Sequence, residues 1–149
     1  MVKPKVTAII TSYNRFDYLQ NAIQSVVNQD YENLEIIVVN DDSDDQRYYE
    51  YEFPEIVKLI HIDRKETPNW GGSRQPLRNI AANMSDAKYL AFLDDDDIWL
   101  KNKLNIQIDA LEKSDCKLSS TEGYYGEGVY QDGQEYLLYN TGRWFKFIK

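Results

Sequence analysis

Three clusters of polar and acidic side chains stand out because each directly follows an apolar, β-branched run. Val6–Ile10 leads into Thr11-Ser12-Tyr13-Asn14-Arg15, and Leu34–Val39 leads into Asn40-Asp41-Asp42-Ser43-Asp44-Asp45. Tyr89–Leu93 leads into Asp94-Asp95-Asp96-Asp97. Consecutive carboxylates repel one another, so four of them at a strand end call for a compensating cation. A hard divalent ion, Mg²⁺ or Mn²⁺, takes oxygen ligands from one or two carboxylates and completes its shell with water and phosphate oxygens. Metal binding is therefore favoured for Asp94–Asp97, although Asp96 or Asp97 could instead cap a following helix. For the Asp41 cluster, a turn and a binding role stand level, since Asp and Ser are common turn formers. Asn14 could cap the next helix, and Tyr13 could stack on a base or pack against its own loop.

These clusters need a scaffold that brings strand ends together. Phe16, Leu19, Ala22, Ile23, Val26 and Val27 share one helical face, and Leu77, Ile80, Ala81 and Met84 recur at i, i+3, i+4 and i+7. Leu100, Leu104, Ile108 and Leu111 mark another helix, Ser43–Tyr51 a short one, and Val57–Ile62 a third strand. Alternating β and α segments predict a doubly wound, mostly parallel α/β sheet with right-handed crossovers. In such a sheet ligands bind outside the carboxyl ends of the strands, where the three clusters fall. From Lys117 the pattern changes: Tyr124–Tyr139 alternates aromatic and polar residues around glycines and predicts a short antiparallel ribbon. Its tyrosines could stack on a ligand, but cross-strand pairing explains them without one. The polar loop with Pro68, Gly71 and Gly72 carries Trp70, a candidate lid over a bound ligand, whereas Trp99 reads as packing. His61 reads as structural, and Arg78, opposite an apolar helix face, reads as a surface residue unless other support appears.

Composition sets bounds. The 149 residues are 42% hydrophobic and 13% aromatic, which is material for one packed domain, residues 1–149. Seventeen basic against 25 acidic residues give a net charge of −8, which argues against a basic surface for nucleic acid. Neither G-x-G-x-x-G nor G-x-x-x-x-G-K-[ST] is present, so glycine-rich phosphate loops are excluded. A single Cys116 and the lack of a long apolar run predict a cytoplasmic protein, peripheral at most to the inner membrane face.

The ordered blocks VTAIITSYNRFDYLQNAIQSVVNQDYENLEIIVVNDDSDD and LRNIAANMSDAKYLAFLDDDDIW resemble family 2 nucleotide-sugar glycosyltransferases of the GT-A fold, over roughly the first 110 residues. The resemblance implies transfer of a sugar from a nucleoside diphosphate, of uridine or thymidine, to a saccharide or lipid-linked acceptor hydroxyl, with inversion. It places Thr11, Tyr13, Asp41 and Arg78 at the nucleotide. It sets the D-x-D-type element on Asp94, Asp95 and Asp96, with Asp95 near the ribose or sugar and Asp96 as the metal ligand. No downstream acid matches the family's catalytic base, and no later histidine completes the metal shell. The expected chain is thus C-terminally incomplete, with a self-associating apolar tail at Trp144–Ile148. Two other readings are a nucleotide-sugar-binding module without catalysis, and a phosphohydrolase with Asp94 as nucleophile and Asp96 as acid.

Overall fold

The computed structural model describes residues 2–65, 75–128, 130–131 and 133–139. Trp70, the glycines beside it and the apolar tail lie outside the described residues.

The sheet is built around β1 (Val6–Ser12), flanked by β2 (Leu34–Asn40) and β4 (Tyr89–Asp94), with β3 (Val57–His61) beyond β2. All pairings are parallel, giving the order β3-β2-β1-β4. The seven residues of β1 are all buried, as a strand with covered faces and two neighbours requires. Helices α1 (Phe16–Val27) and α4 (Lys103–Glu112) cover one face together with the short α2 (Arg47–Glu50), and α3 (Gln75–Asn83) covers the other.

Strand alternation sorts the side chains. Val6, Ala8 and Ile10 of β1 meet Ile36 and Val38 of β2 on the α1 side, where Phe16, Leu19, Ile23 and Val26 supply the helical stripe. Ile9, Ile37 and Val39 point the other way, against Leu77 and Ala81 of α3. Met84, expected on that stripe, lies beyond the end of α3 and is exposed. The predicted helix at Ser43–Tyr51 contracts to one turn, whose Tyr48 is fully buried and sits edge-on to Phe16, ring centroids 5.4 Å apart.

The segment between β4 and α4 is tied to the end of α1. Trp99 is buried, its backbone N–H donates to Ser25 Oγ (3.0 Å), and the Lys103 ammonium lies 4.6 Å above its ring. Gln29 donates to the Leu100 carbonyl (2.8 Å) and accepts from the Leu104 N–H (3.1 Å). Leu100 itself precedes α4 and is exposed, which corrects its assignment to the helical stripe. The residues after Lys117 form the expected antiparallel pair, β5 (Gly123–Tyr125) with β6 (Leu137–Tyr139). Tyr125 packs on Tyr139 and Tyr130 stacks on Tyr136, so these rings engage one another. A side chain on Gly126 would collide with the Tyr136 ring.

Candidate functional site

The carboxyl ends of β1, β2 and β4 are level. Ser12 pairs in register with Asn40 and Thr11 with Asp94, so all three clusters emerge at one edge of the sheet. Alternation then divides them between the two faces. Thr11 and Asp94 share the α3 side, whereas Ser12 and Asp95, one step further, turn towards α1 and α2.

On the α3 side, Arg78 donates through Nη2 to the exposed Asp94 carboxylate. The Arg78 side chain is 22% exposed, and its Nε is buried without a hydrogen-bond partner among the described residues. Arg78 is thus a partly buried residue at the sheet edge and not a freely solvated surface residue. Thr11 is buried beneath this pair, at the end of β1.

On the α1 side a directed chain of hydrogen bonds fixes Asp95, which is 1% exposed. Ser12 Oγ donates to Asp95 Oδ2 (2.8 Å), so the proton in the 2.5 Å contact between Ser12 and Tyr48 belongs to the phenol. Tyr48 Oη in turn accepts the Arg15 backbone N–H (3.0 Å). The Arg15 guanidinium reaches Asp96 Oδ2 (2.6 Å) and, more distantly, Asp95 Oδ1 (3.4 Å). The charges of Asp95 and then of Asp96, with the hydrogen bonds to both, hold the guanidinium more firmly in its charged form.

Among the described residues, two guanidiniums thus stand against the four carboxylates Asp94–Asp97. The electrostatic relief first assigned wholly to a metal is partly supplied by the protein. Partial burial, and then its three acidic neighbours, raises the Asp97 carboxyl above its ordinary range. Neither Asp96 nor Asp97 caps the following helix, because α4 begins at Lys103 with Asn102 as its cap. No three carboxylate, imidazole or thiol groups converge on one point among the described residues. The donor set suits a hard divalent cation that keeps phosphate and water oxygens: the exposed Asp94 and Asp96 offer carboxylate oxygens, and the run as a whole carries two carboxylates more than the guanidiniums against it.

The third cluster turns on Asp41, which is buried. Arg64, just beyond β3, grips it with two donors, Nε to Oδ1 (3.0 Å) and Nη2 to Oδ2. The same guanidinium lies over the half-buried Tyr13, with Cζ 4.9 Å from the ring centroid. The loops carrying Tyr13 and Asp41 are fastened together: Asn14 N–H donates to Ser43 Oγ (3.0 Å), and Asp44 N–H donates to Asn14 Oδ1 (2.8 Å). Asn14 and Asp42 adopt left-handed backbone, φ 51° and 58°, which their short polar side chains tolerate. Asn14 is accordingly a loop clasp, and the α1 cap falls on Arg15 with no side-chain capping bond.

His61 completes the support from β3. Asn40 Oδ1 accepts the Ser43 N–H, so its amide Nδ2 donates to His61 Nδ1 (3.0 Å), which fixes the proton of the neutral ring on Nε2. The imidazole stacks on Tyr49 and is held below its ordinary pKa by partial burial. These contacts give His61 the structural role its position predicted.

Tyr48 and Arg64 lie outside the three clusters that the sequence marks, whereas Ser12 and Arg15 belong to the first of them without a role assigned there. Arg64 was accessible to the same rule that found the others, reading the residues just past each strand, had it been applied after β3. Tyr48 carried no such signal, since its place depends on how α2 folds back.

The same fold is found in solved structures. The Staphylococcus aureus TarS 1–349 complex with UDP-GlcNAc superposes with a TM-score of 0.60 at 25% identity, covering 85% of this chain and 37% of that one. Among curated relatives, the putative teichuronic acid biosynthesis glycosyltransferase TuaG of Bacillus subtilis is 37% identical over 82% of this chain and 47% of its own length. WfgD of Escherichia coli, a UDP-Glc:alpha-D-GlcNAc-diphosphoundecaprenol beta-1,3-glucosyltransferase, is 36% identical over 73% of this chain and 42% of its own. The chain therefore spans less than half the length of these relatives. The parallel sheet with its acidic carboxyl edge is of the GT-A type, the model of Glycosyl transferase family 2 matches residues 7–147, and the chain belongs to that family.

Proposed function

We propose that this chain is the donor-binding part of an inverting glycosyltransferase that takes a UDP-sugar with a divalent cation. The observation that carries the reading is one sheet edge holding a buried carboxylate beside an aromatic ring and, across β1, exposed carboxylates beside two arginines. A uracil ring needs a face to stack on and an acceptor for its imide N–H, which Tyr13 and Asp41 offer. Thr11 would line the same pocket. A diphosphate needs cationic donors, which Arg15 and Arg78 provide. Asp95, locked by Ser12, is suited to orient a ribose or sugar hydroxyl. Uridine is preferred to thymidine because the names of WfgD and of the TarS complex specify UDP-sugars.

The reaction is a displacement at the anomeric carbon: the acceptor oxygen forms its bond there, and the bond to the diphosphate breaks with the electron pair leaving on the phosphate. A cation held by Asp96 and Asp94 would supply Lewis-acid stabilisation of that leaving group. Arg15 and Arg78 hold fixed positive charge where the negative charge grows, which favours the transition state over the bound donor. A carboxylate base must take the acceptor proton. Glu112 does not serve, because it is tied to Lys88 and to Tyr89, the first residue of β4, at the opposite edge of the sheet. The acceptor is proposed to be saccharide or lipid-linked, in keeping with the diphosphoundecaprenol in the name of WfgD. An acceptor of that kind would bring the protein to a membrane face. No helix among the described residues is long and apolar enough to cross one.

Calorimetric titration with UDP, dTDP, GDP and UDP-sugars, with and without Mn²⁺, tests the proposal. UDP compounds should bind best and the cation should tighten them; equal affinity for GDP, or indifference to Mn²⁺, refutes it. Binding without transfer or donor hydrolysis would identify this chain as a binding module.

A further inference from the structure

Arg64 does to Asp41 and Tyr13 what a nucleobase would do. Its guanidinium is planar, lies over the Tyr13 ring with Cζ 4.9 Å from the centroid, and directs parallel N–H donors at the two oxygens of Asp41. A uracil needs that same ring face and one of those same oxygens. The site cannot serve both at once, because the guanidinium fills the space over the Tyr13 ring and against the Asp41 carboxylate, which is only 7% exposed. We propose that Arg64 is an internal occupant of the nucleobase site, displaced when a uridine nucleotide binds, so that it sets the affinity of the site; this rests on the donor-binding reading above.

The asymmetry of burial identifies the partner that moves. Asp41 is fixed at the end of β2, its N–H bonded to the Ser12 carbonyl (2.9 Å), whereas the Arg64 side chain is 54% exposed and is the partner with water to swing into. The occupant also explains how a buried carboxylate is tolerated in the empty protein. An uncompensated charge there would be strongly destabilising, and the arginine supplies the countercharge, in place of which a neutral base offers a hydrogen bond. Competition of this kind multiplies the intrinsic affinity by the fraction of molecules in which the site is open. A site open in about a tenth of molecules binds about tenfold more weakly than it would without the arginine. Lysine could keep the charge pair but not the flat, two-pronged stack, so Arg64→Lys should fall between the wild type and a truncated side chain.

The test titrates UMP and UDP, without metal, into the wild-type chain, Arg64→Ala and Arg64→Lys, with circular dichroism confirming that each variant is folded. Arg64→Ala should bind both nucleotides about tenfold more tightly, with Arg64→Lys intermediate, and the gain should be equal for UMP and UDP because it arises at the base. Unchanged or weaker UMP binding by Arg64→Ala overturns the inference while leaving the donor reading intact. A loss confined to UDP also overturns it, by assigning Arg64 to the phosphates. If the wild type and both variants bind neither nucleotide, the uridine-nucleotide reading fails and the inference fails with it. Should Arg64→Ala not fold, Arg64→Lys decides: tighter UMP binding supports displacement, and equal or weaker binding refutes it.

Discussion

Replacing Tyr48 with Phe removes one oxygen atom from a fully buried side chain and leaves its ring packing in place, including the edge-on contact with Phe16. What is lost is the link between the Arg15 backbone and Ser12, two hydrogen bonds of 3.0 and 2.5 Å. At a net worth of about 0.5–1.5 kcal/mol each, their loss should cost about 2 kcal/mol, or roughly 4–8 °C in Tm for a domain of this size. Ser12→Ala cuts the chain one step later and takes a charge-assisted bond from the buried Asp95, so about 2–3 kcal/mol is expected. The two changes share a partner and should not add. The double variant should be less destabilised than the sum by about 1 kcal/mol, because the phenol has no Ser12 oxygen left to serve. Urea unfolding of the four proteins of this cycle measures the coupling directly. A Tyr48→Phe cost below about 0.5 kcal/mol, or additivity within about 0.3 kcal/mol, would refute the directed chain from the Arg15 backbone to Asp95.

Asp96→Ala should abolish the Mn²⁺-dependent gain in nucleotide affinity, tenfold or about 1.4 kcal/mol, while the exposed pair with Arg15 contributes under about 1 kcal/mol to stability. Calorimetry and a thermal melt check both, and a retained Mn²⁺ effect would remove Asp96 from the metal site. His61 is held neutral, so its contribution to stability should be complete above the ordinary histidine pKa of about 6.5 and should decline as the pH falls through it. The stability difference between wild type and His61→Gln, measured by urea titration from pH 8 to 5, should be flat above about pH 7 and shrink below it; a difference constant with pH would be the contrary result.

Much of this was legible because apolar runs and helical stripes act locally. Leu34–Val39 has the apolar run expected of a strand buried on both faces, and the α1 stripe calls for a partner sheet; together they point to the parallel core, in which Ile36–Val39 are buried. The rule that ligands gather past strand ends then marked Asp41 and the Asp94–Asp97 run. The missed features were relations between distant segments. Nothing near Arg64 in the chain shows that it will meet Asp41, 23 residues earlier, and nothing near Tyr48 shows that its hydroxyl will reach Ser12, 36 residues away. The helix pattern around Arg78 shows only an apolar face, while the side chain itself extends past the helix to Asp94, and only the family resemblance placed it at the nucleotide. The capping roles of Asn14 and Asp96 were plausible by residue type but lost to tertiary bonds and to a later helix start.

The burial of all seven residues of β1 has a consequence for the order in which the molecule loosens. Amide protons along that strand should be the last to exchange with deuterated solvent, since releasing them requires both flanking strands and both helical layers to part. Thr11 and Ser12 belong to that slowest-opening unit, so the pocket floor should persist while the peripheral ribbon breathes, and a bound nucleotide should slow the outer loops far more than the strand beneath them.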